Sequence, residues 1–278
     1  MFFKAKPITE GVPPFTNGVL SFTPGIPKVI HQIWIGGKPL PAQWAHYGEQ
    51  IKALHPSWAY RLWTDADLPG LWDMDPFGLK AVYALWENVG YQSDILRLLI
   101  LWLYGGVYLD TDCEPARPLD AVLVGRDAFV GATFPGEPFP RVLVQNAVLG
   151  ACPRHPWLTL TINRMRADLP GMDFAEARKE KTNILDLTGP GRLSATLAEY
   201  RASRASYAAD VAILPSRFLF PSGPDQAPTP ERFPEVFLIH HWVYSWNTDI
   251  GEATGSDTAH YVPYGPPSAP YVDPGKGV

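Results

Sequence analysis

The sequence predicts an α/β protein with a mostly parallel central sheet flanked by helices. Three observations carry that expectation. Short runs rich in Val, Ile and aromatic residues, such as Val29–Ile35 and Trp58–Trp63, alternate with segments of helical spacing. A Gly105–Gly106 pair separates an apolar helical stretch from a compact apolar run, Val107–Leu109. That run ends in Asp110-Thr111-Asp112, and open α/β sheets place their ligands at the carboxyl ends of strands.

Composition limits the alternatives. The 278 residues suit one large domain over residues 26–250, with an arm over 1–25 and a Gly/Pro-rich tail over 251–278. A hydrophobic content of 46% is ample for a core, and most of the ten Trp are expected to fill it. A net charge of −5 without a Lys/Arg cluster argues against a nucleic-acid partner. Cys113 and Cys152 make no disulfide framework, so a reducing, cytoplasmic location is expected. Met1–Leu20 lacks the apolar core of a signal peptide, and Ile95–Tyr104 is too short to span a bilayer. Peripheral contact with a membrane is compatible with both facts.

In chain order, Val29–Ile35 is the first strand, closed by Gly36–Gly37. Trp44–Leu54 has helical spacing and ends at His55–Pro56; Trp58–Trp63 is a second strand. Gly78–Asn88 reads as a helix, followed by a second helix that Ser93 caps, with Asp94 in its first turn. Ala128–Phe134 and Val142–Leu149 are strands, with Pro135–Pro140 as a loop between them. Trp157–Ala167, Phe174–Leu185 and Gly191–Ala202 are helical by pattern. Val211–Leu214 and Val236–His240 are short strands.

An Asp-x-Asp triplet alone is a poor signal, and this chain has three. Asp65/Asp67 and Asp73/Asp75 lie among turn-like residues and read as solvated carboxylates or caps. Asp110 and Asp112 instead close an apolar strand, two steps apart and therefore on one face, with bases roughly 7 Å apart. Two like charges 4 Å apart repel by about 4 kcal/mol at an effective dielectric near 20. A divalent cation removes that cost and binds a diphosphate, and hard oxygen ligands suit Mg²⁺ or Mn²⁺. Asp94 and Arg97 share a helix face that passes near this strand; buried there, the pair could hold sugar hydroxyls rather than act as a surface ion pair.

Ser93-Asp94-Ile95-Leu96-Arg97, an apolar run, and Gly105-Gly106-Val107-Tyr108-Leu109-Asp110-Thr111-Asp112 together resemble the signature of the DXD-containing sugar transferases of glycosyltransferase family 32. That group includes fungal α-mannosyltransferases, bacterial capsular or lipopolysaccharide transferases and, by the same signature, clostridial toxin glucosyltransferase domains. Ile26–Gly36, Trp58–Asp65, Asn146, Thr188-Gly189-Pro190-Gly191, His240-His241-Trp242 and Ser245-Trp246 are similar to further family segments, in the family's order. The resemblance implies a GT-A fold that holds Mn²⁺ or Mg²⁺ against a UDP- or GDP-sugar. Asp112 would ligate the metal, and Asp110 would bind the sugar side and the metal's water shell. Asp94 and Arg97 would grip the sugar, with Tyr108, Leu109, Thr111, Asn146 and Gly189 nearby. Ile33, Trp34, Ile35 and Trp63 would contact the base, where a stack is worth about 1–3 kcal/mol. His240 or His241 would complete the metal site and Ser245 and Trp246 would close over the diphosphate; on a strand only one of the two histidines can face the metal.

The implied reaction is retaining transfer of a hexose to a hydroxyl of a carbohydrate, a lipid-linked or a protein acceptor, as in polysaccharide biosynthesis. No residue stands out as a covalent nucleophile, which favours a front-face mechanism. A glycoside hydrolase would need carboxylates flanking the scissile bond, about 5–5.5 or 6.5–9.5 Å apart, and Asp110 and Asp112 leave one strand together. A metal-dependent sugar-nucleotide hydrolase or phosphohydrolase would use the same carboxylates. A carbohydrate-binding module would leave them unexplained, whereas a non-catalytic, carbohydrate-binding relative of the transferases would look the same.

Overall fold

The computed structural model describes residues 24–133, 143–174, 184–203, 211–221 and 234–243. The chain divides after Val243 into two units, and all of these residues lie in the first. The expected arm up to residue 23, the Pro135–Pro140 loop, most of the Phe174–Leu185 helix, Ser245, Trp246 and the tail lie outside the described residues.

Eight strands appear among them: β1 Val29–Ile33, β2 Ala59–Trp63, β3 Gly106–Leu109, β4 Cys113–Pro115, β5 Ala128–Ala132, β6 Val144–Ala151, β7 Val211–Leu214 and β8 Leu238–His240. Six form one sheet in the order β2-β1-β3-β6-β5-β7, and β4 and β8 form a separate pair. β1 runs parallel to β2 and β3, and β5 runs parallel to β7. β6 is antiparallel to both β3 and β5. Five strands therefore point one way and β6 alone opposes them, which is the mostly parallel sheet expected.

Alternation along β3 decides what each face of the sheet sees. Val107 and Leu109 join an apolar cluster with Ile30, Ile51, Phe129, Leu219, Phe220 and Leu238. Tyr108 faces the other way, where the long helix Val89–Tyr104 packs on β1, β3 and β6. That helix is apolar on nearly all sides because it is enclosed: Ile95 to Leu101 are buried without a break. Helix Pro190–Ala202 packs on β6 and against helix Pro156–Asp168.

Two expectations about this region need correction. The helix begins at Val89, and Asn88 caps it by accepting from the Gly90 and Tyr91 N–H groups; Ser93 lies within it. The Gly78–Asn88 helix is correspondingly short, Leu79–Tyr83. A second turn of helix could begin at Ser93 by local chemistry, but Asn88 supplies the earlier cap and the aromatic packing of Tyr91 against Trp86 holds the added turn in place. Gly105 and Gly106 end the helix as expected, both at positive φ, 63° and 101°. A Cβ on Gly106 would lie 2.6 Å from the Val29 carbonyl oxygen, so the pair also sets how closely β3 approaches β1.

Candidate active site

β3 stops at Leu109, and Asp110 to Cys113 form a turn closed by the Cys113 N–H donating to the Asp110 carbonyl at 3.1 Å. Asp110 and Asp112 are thus on a turn between β3 and β4, not on the strand as expected. They converge all the same, because β4 pairs with β8 and sets Cys113 opposite His240. His240 Nε2 lies 3.3 Å from Asp112 Oδ1 and 3.7 Å from Asp110 Oδ2. Just beyond, Trp242 takes a left-handed conformation, φ 56°. That bend follows the His241 N–H donating to the Asp112 carbonyl, and it lets the Val243 N–H donate to Asp112 Oδ2 at 2.9 Å.

The two neighbouring histidines face opposite sides. His240 turns to the carboxylates, packed on Trp242 and Phe220. His241 stacks on Tyr47 with ring centroids 5.3 Å apart, its Nε2 within 3.1 Å of the Tyr47 hydroxyl and 3.0 Å of Glu114 Oε2. The geometry therefore separates a pair that the sequence left open.

Asp94 and Arg97 are brought to the same place by the long helix, as their spacing implied. Arg97 Nη2 is 2.9 Å from Asp94 Oδ1 and Nη1 is 3.3 Å from Asp110 Oδ1. Nη1 also donates to the Asn146 carbonyl at 2.6 Å, and the guanidinium lies over the Tyr108 ring at 4.5 Å. Asn146 Nδ2 donates to Asp94 Oδ1 at 2.7 Å, and the Thr188 hydroxyl donates to Asp94 Oδ2 at 2.9 Å. The Tyr108 hydroxyl donates to Asp110 Oδ1 at 2.6 Å. Gln32 supports the turn from β1 by donating from Nε2 to the Asp110 carbonyl at 3.1 Å.

These contacts set the charges. Burial pushes Asp94 up to about 6, against the pull of Arg97 and the hydrogen bonds from Thr188 and Asn146. Burial likewise raises Asp110, with Arg97 and His240 opposing it. Burial also disfavours ionised Asp112, but His240 and the Val243 N–H outweigh it and hold this carboxyl below the usual range. On His240 burial opposes charge, and Asp112 more than offsets it, so the imidazole is raised. The imidazolium thus occupies part of the role a cation would take. Its other ring nitrogen, Nδ1, is buried and has no hydrogen-bond partner. Two carboxylates, the neutral form of the imidazole and a nearby thiol make a donor set that fits a first-row divalent cation. The atoms of Asp112, Cys113 and His240 that can ligate all lie within 4.8 Å of one another.

Trp63 is a core residue, 2% exposed. Its indole N–H donates to His31 Nδ1 at 3.1 Å and Arg61 covers its ring at 3.8 Å. That indole is therefore packed within the protein. Ile33, Ile35 and Leu109 are buried side chains. Trp34 is partly exposed beside Trp44, with its N–H donating to the Lys38 carbonyl at 2.7 Å. Thr111 is buried, and Gly189 precedes the Pro190–Ala202 helix as its N-cap. The other two Asp-x-Asp triplets are structural. Asp65 accepts from the Gly36 and Gly37 N–H groups, Asp67 from Thr64, and Asp75 from the Phe77 and Leu79 N–H groups. Thr188 and Gln32 lie in segments that resemble the family, yet the resemblance assigned neither a role; here Thr188 donates to Asp94 and Gln32 to the Asp110 carbonyl.

Residues 41–129 match the family described as "Glycosyltransferase sugar-binding region containing DXD motif". The chain is 33% identical to inositol phosphoceramide mannosyltransferase 3 of Schizosaccharomyces pombe, over 50% of this chain and 37% of that protein. It is 33% identical to mannosyl phosphorylinositol ceramide synthase SUR1 of Saccharomyces cerevisiae, over 51% of this chain and 35% of that protein. A mimivirus glycosyltransferase, L373, is 25% identical over 70% of this chain and 73% of its own. The chain thus spans well under half the length of the fungal relatives. The solved glycosyltransferase domain of the YGT toxin superposes with a TM-score of 0.52 at 13% identity, covering 68% of this chain and 81% of that domain. PaToxG glycosyltransferase does so with a TM-score of 0.50 at 18% identity, covering 66% and 73%. The chain therefore has a GT-A fold, and its residues 41–129 match the model of a DXD-containing glycosyltransferase sugar-binding region.

Proposed function

We propose that the chain is a metal-dependent, retaining glycosyltransferase that moves a hexose from a UDP- or GDP-sugar to an acceptor hydroxyl. One observation supports it above the others: the buried Asp94–Arg97 pair and the partly exposed Asp110 form a single network directly beside the Asp112–His240 pair. A buried cation shared by two carboxylates is costly to keep unless it is fully hydrogen-bonded or serves a ligand. Asp112, Asp110 and His240 would hold Mn²⁺ or Mg²⁺, which supplies Lewis-acid stabilisation of the departing diphosphate. The imidazole ligand tilts the choice to Mn²⁺.

Within that reading, Arg97 fixes the orientation of Asp94 and Asp110, and the three present one rigid polar surface to the transferred sugar. Every carboxylate oxygen of Asp94 has a donor already, and Asp112 is held by the Val243 N–H. Neither is free to swing into a covalent adduct, which supports a front-face displacement. Ser245 and Trp246 keep the diphosphate roles that the family resemblance implies. The fungal relatives are named for mannosyl transfer to inositol phosphoceramide, so mannose and a lipid-linked hydroxyl are the first donor sugar and acceptor to test. None of the described helices is long and apolar enough to cross a membrane; cytoplasmic action at a membrane surface is the setting proposed.

The test is nucleotide release from a panel of UDP- and GDP-sugars with Mn²⁺, by the wild type and Asp112→Ala. Metal-dependent release that vanishes in the variant supports the proposal. Full activity in Asp112→Ala would refute the site.

A further inference from the structure

We propose that Cys113 is a ligand of the metal, so that the site binds its cation through oxygen, nitrogen and sulfur and favours thiophilic ions. This rests on the metal-site reading above and specifies its chemistry. Cys113 belongs to the apolar cluster beneath the site. Three features go beyond packing.

Cys113 and His240 are directly opposite in the antiparallel β4–β8 pair, so their side chains leave the same face. Their ligating atoms and a carboxylate oxygen of Asp112 fall within 4.8 Å of one another. A tetrahedral ion with Zn–S near 2.3 Å and Zn–N near 2.0 Å holds its donors roughly 3.5 Å apart, so the set has to draw closer together as the ion enters. Cys113 is also free and fully buried, and no disulfide competes for its sulfur. Apolar packing would place a sulfur anywhere in the cluster; it does not require one beside two other ligands.

Coordination forms a metal–sulfur bond, and the thiol proton leaves to solvent as the ion enters. Thiolate is the soft donor that selects Zn²⁺ and Co²⁺ over Mg²⁺, which carboxylate and water prefer. The site should therefore bind Co²⁺ and Zn²⁺ far more tightly than Mg²⁺. That discrimination should collapse when the sulfur is removed.

The experiment is a Co²⁺ titration of the full chain followed by absorption, with Cys113→Ser, Cys113→Ala and Cys152→Ser beside the wild type. Cys113 and Cys152 are its two cysteines, so a thiolate-to-cobalt charge-transfer band has two possible sources. The proposal expects the band in the wild type and in Cys152→Ser. It expects no band in either Cys113 variant, with Co²⁺ affinity lower by on the order of tenfold or more and Mg²⁺ affinity little changed. Circular dichroism identifies a variant that fails to fold; the serine and alanine forms stress the site differently, and either folded form suffices. Co²⁺ binding by the wild type without the band would overturn Cys113 as a ligand and leave the metal site standing. A band that survives in the Cys113 variants would overturn it equally. No Co²⁺, Mn²⁺ or Zn²⁺ binding by the wild type would instead defeat the underlying metal-site reading.

Discussion

Replacing Arg97 with Met keeps the length and apolar stem of the side chain and deletes the charge. Arg97 and Asp94 are each about 6% exposed at the side chain, so water cannot take over the contact between them. Arg97 compensates Asp94 at 2.9 Å and Asp110 at 3.3 Å and satisfies the Asn146 carbonyl at 2.6 Å. Removing one partner of a buried ion pair costs about 3–5 kcal/mol, because the remaining charge stays buried. At roughly 2–4 °C per kcal/mol for a domain of this size, the melting temperature should fall by about 10 °C. The assay is a thermal melt of Arg97→Met, Asp94→Asn and the double variant. If the network is coupled, the double variant should lose much less than the sum of the singles. A loss below about 1 kcal/mol for Arg97→Met, the range of an exposed ion pair, would refute the claim that the network is buried and interdependent.

Three further outcomes follow from individual contacts. Burial raises the Asp94 pKa from 3.8 to about 6, so the protonated form is favoured in the fold. Its contribution to stability is then full below the unfolded value and lost as pH rises through about 6, a change on the order of 3 kcal/mol. Stability of the wild type relative to Asp94→Asn should fall over that window, while donor turnover should rise as the carboxylate forms; denaturant melts and a pH–rate profile check both. Thr188→Val leaves Asp94 Oδ2 without its donor at 2.9 Å and should cost about 1–3 kcal/mol. Thr188→Ser should recover most of it, and urea midpoints measure both. Gly106→Ala would place a Cβ 2.4 Å from Val29 Cγ1 at a φ of 101°. Overpacking of this kind costs about 1–3 kcal/mol before the strain of positive φ is added, and a melt of the variant reads the sum.

Local chemistry made the central features legible. The Gly105–Gly106 break, the apolar β3 and the shared face of Asp94 and Arg97 could each be read from spacing. Features made by distant segments could not. Thr188 reaches Asp94 across 94 positions, and no local pattern announces a threonine ahead of a Gly-Pro turn as a hydrogen-bond donor. His240 and His241 are equivalent to any rule of alternation until β4 fixes which face meets Asp112. Cys113 follows the carboxylates directly, yet only its pairing with His240 gives its sulfur a chemical neighbourhood. Ser93 is a good cap by composition and marks a later helix start, whereas Asn88 is the cap that tertiary packing uses. Trp63 has the character of a base-stacking residue in sequence, and the His31 and Arg61 contacts show it to be packed.

The most direct test of the central claim is the coupling between metal and donor. Nucleotide diphosphate affinity, measured by calorimetry with and without Mn²⁺, should rise with the metal in the wild type and in His241→Ala. The same rise should disappear in His240→Ala, whose missing imidazole lies 3.3 Å from Asp112 Oδ1. Equal nucleotide affinity with and without Mn²⁺ in the wild type, or full coupling in His240→Ala, would contradict the account.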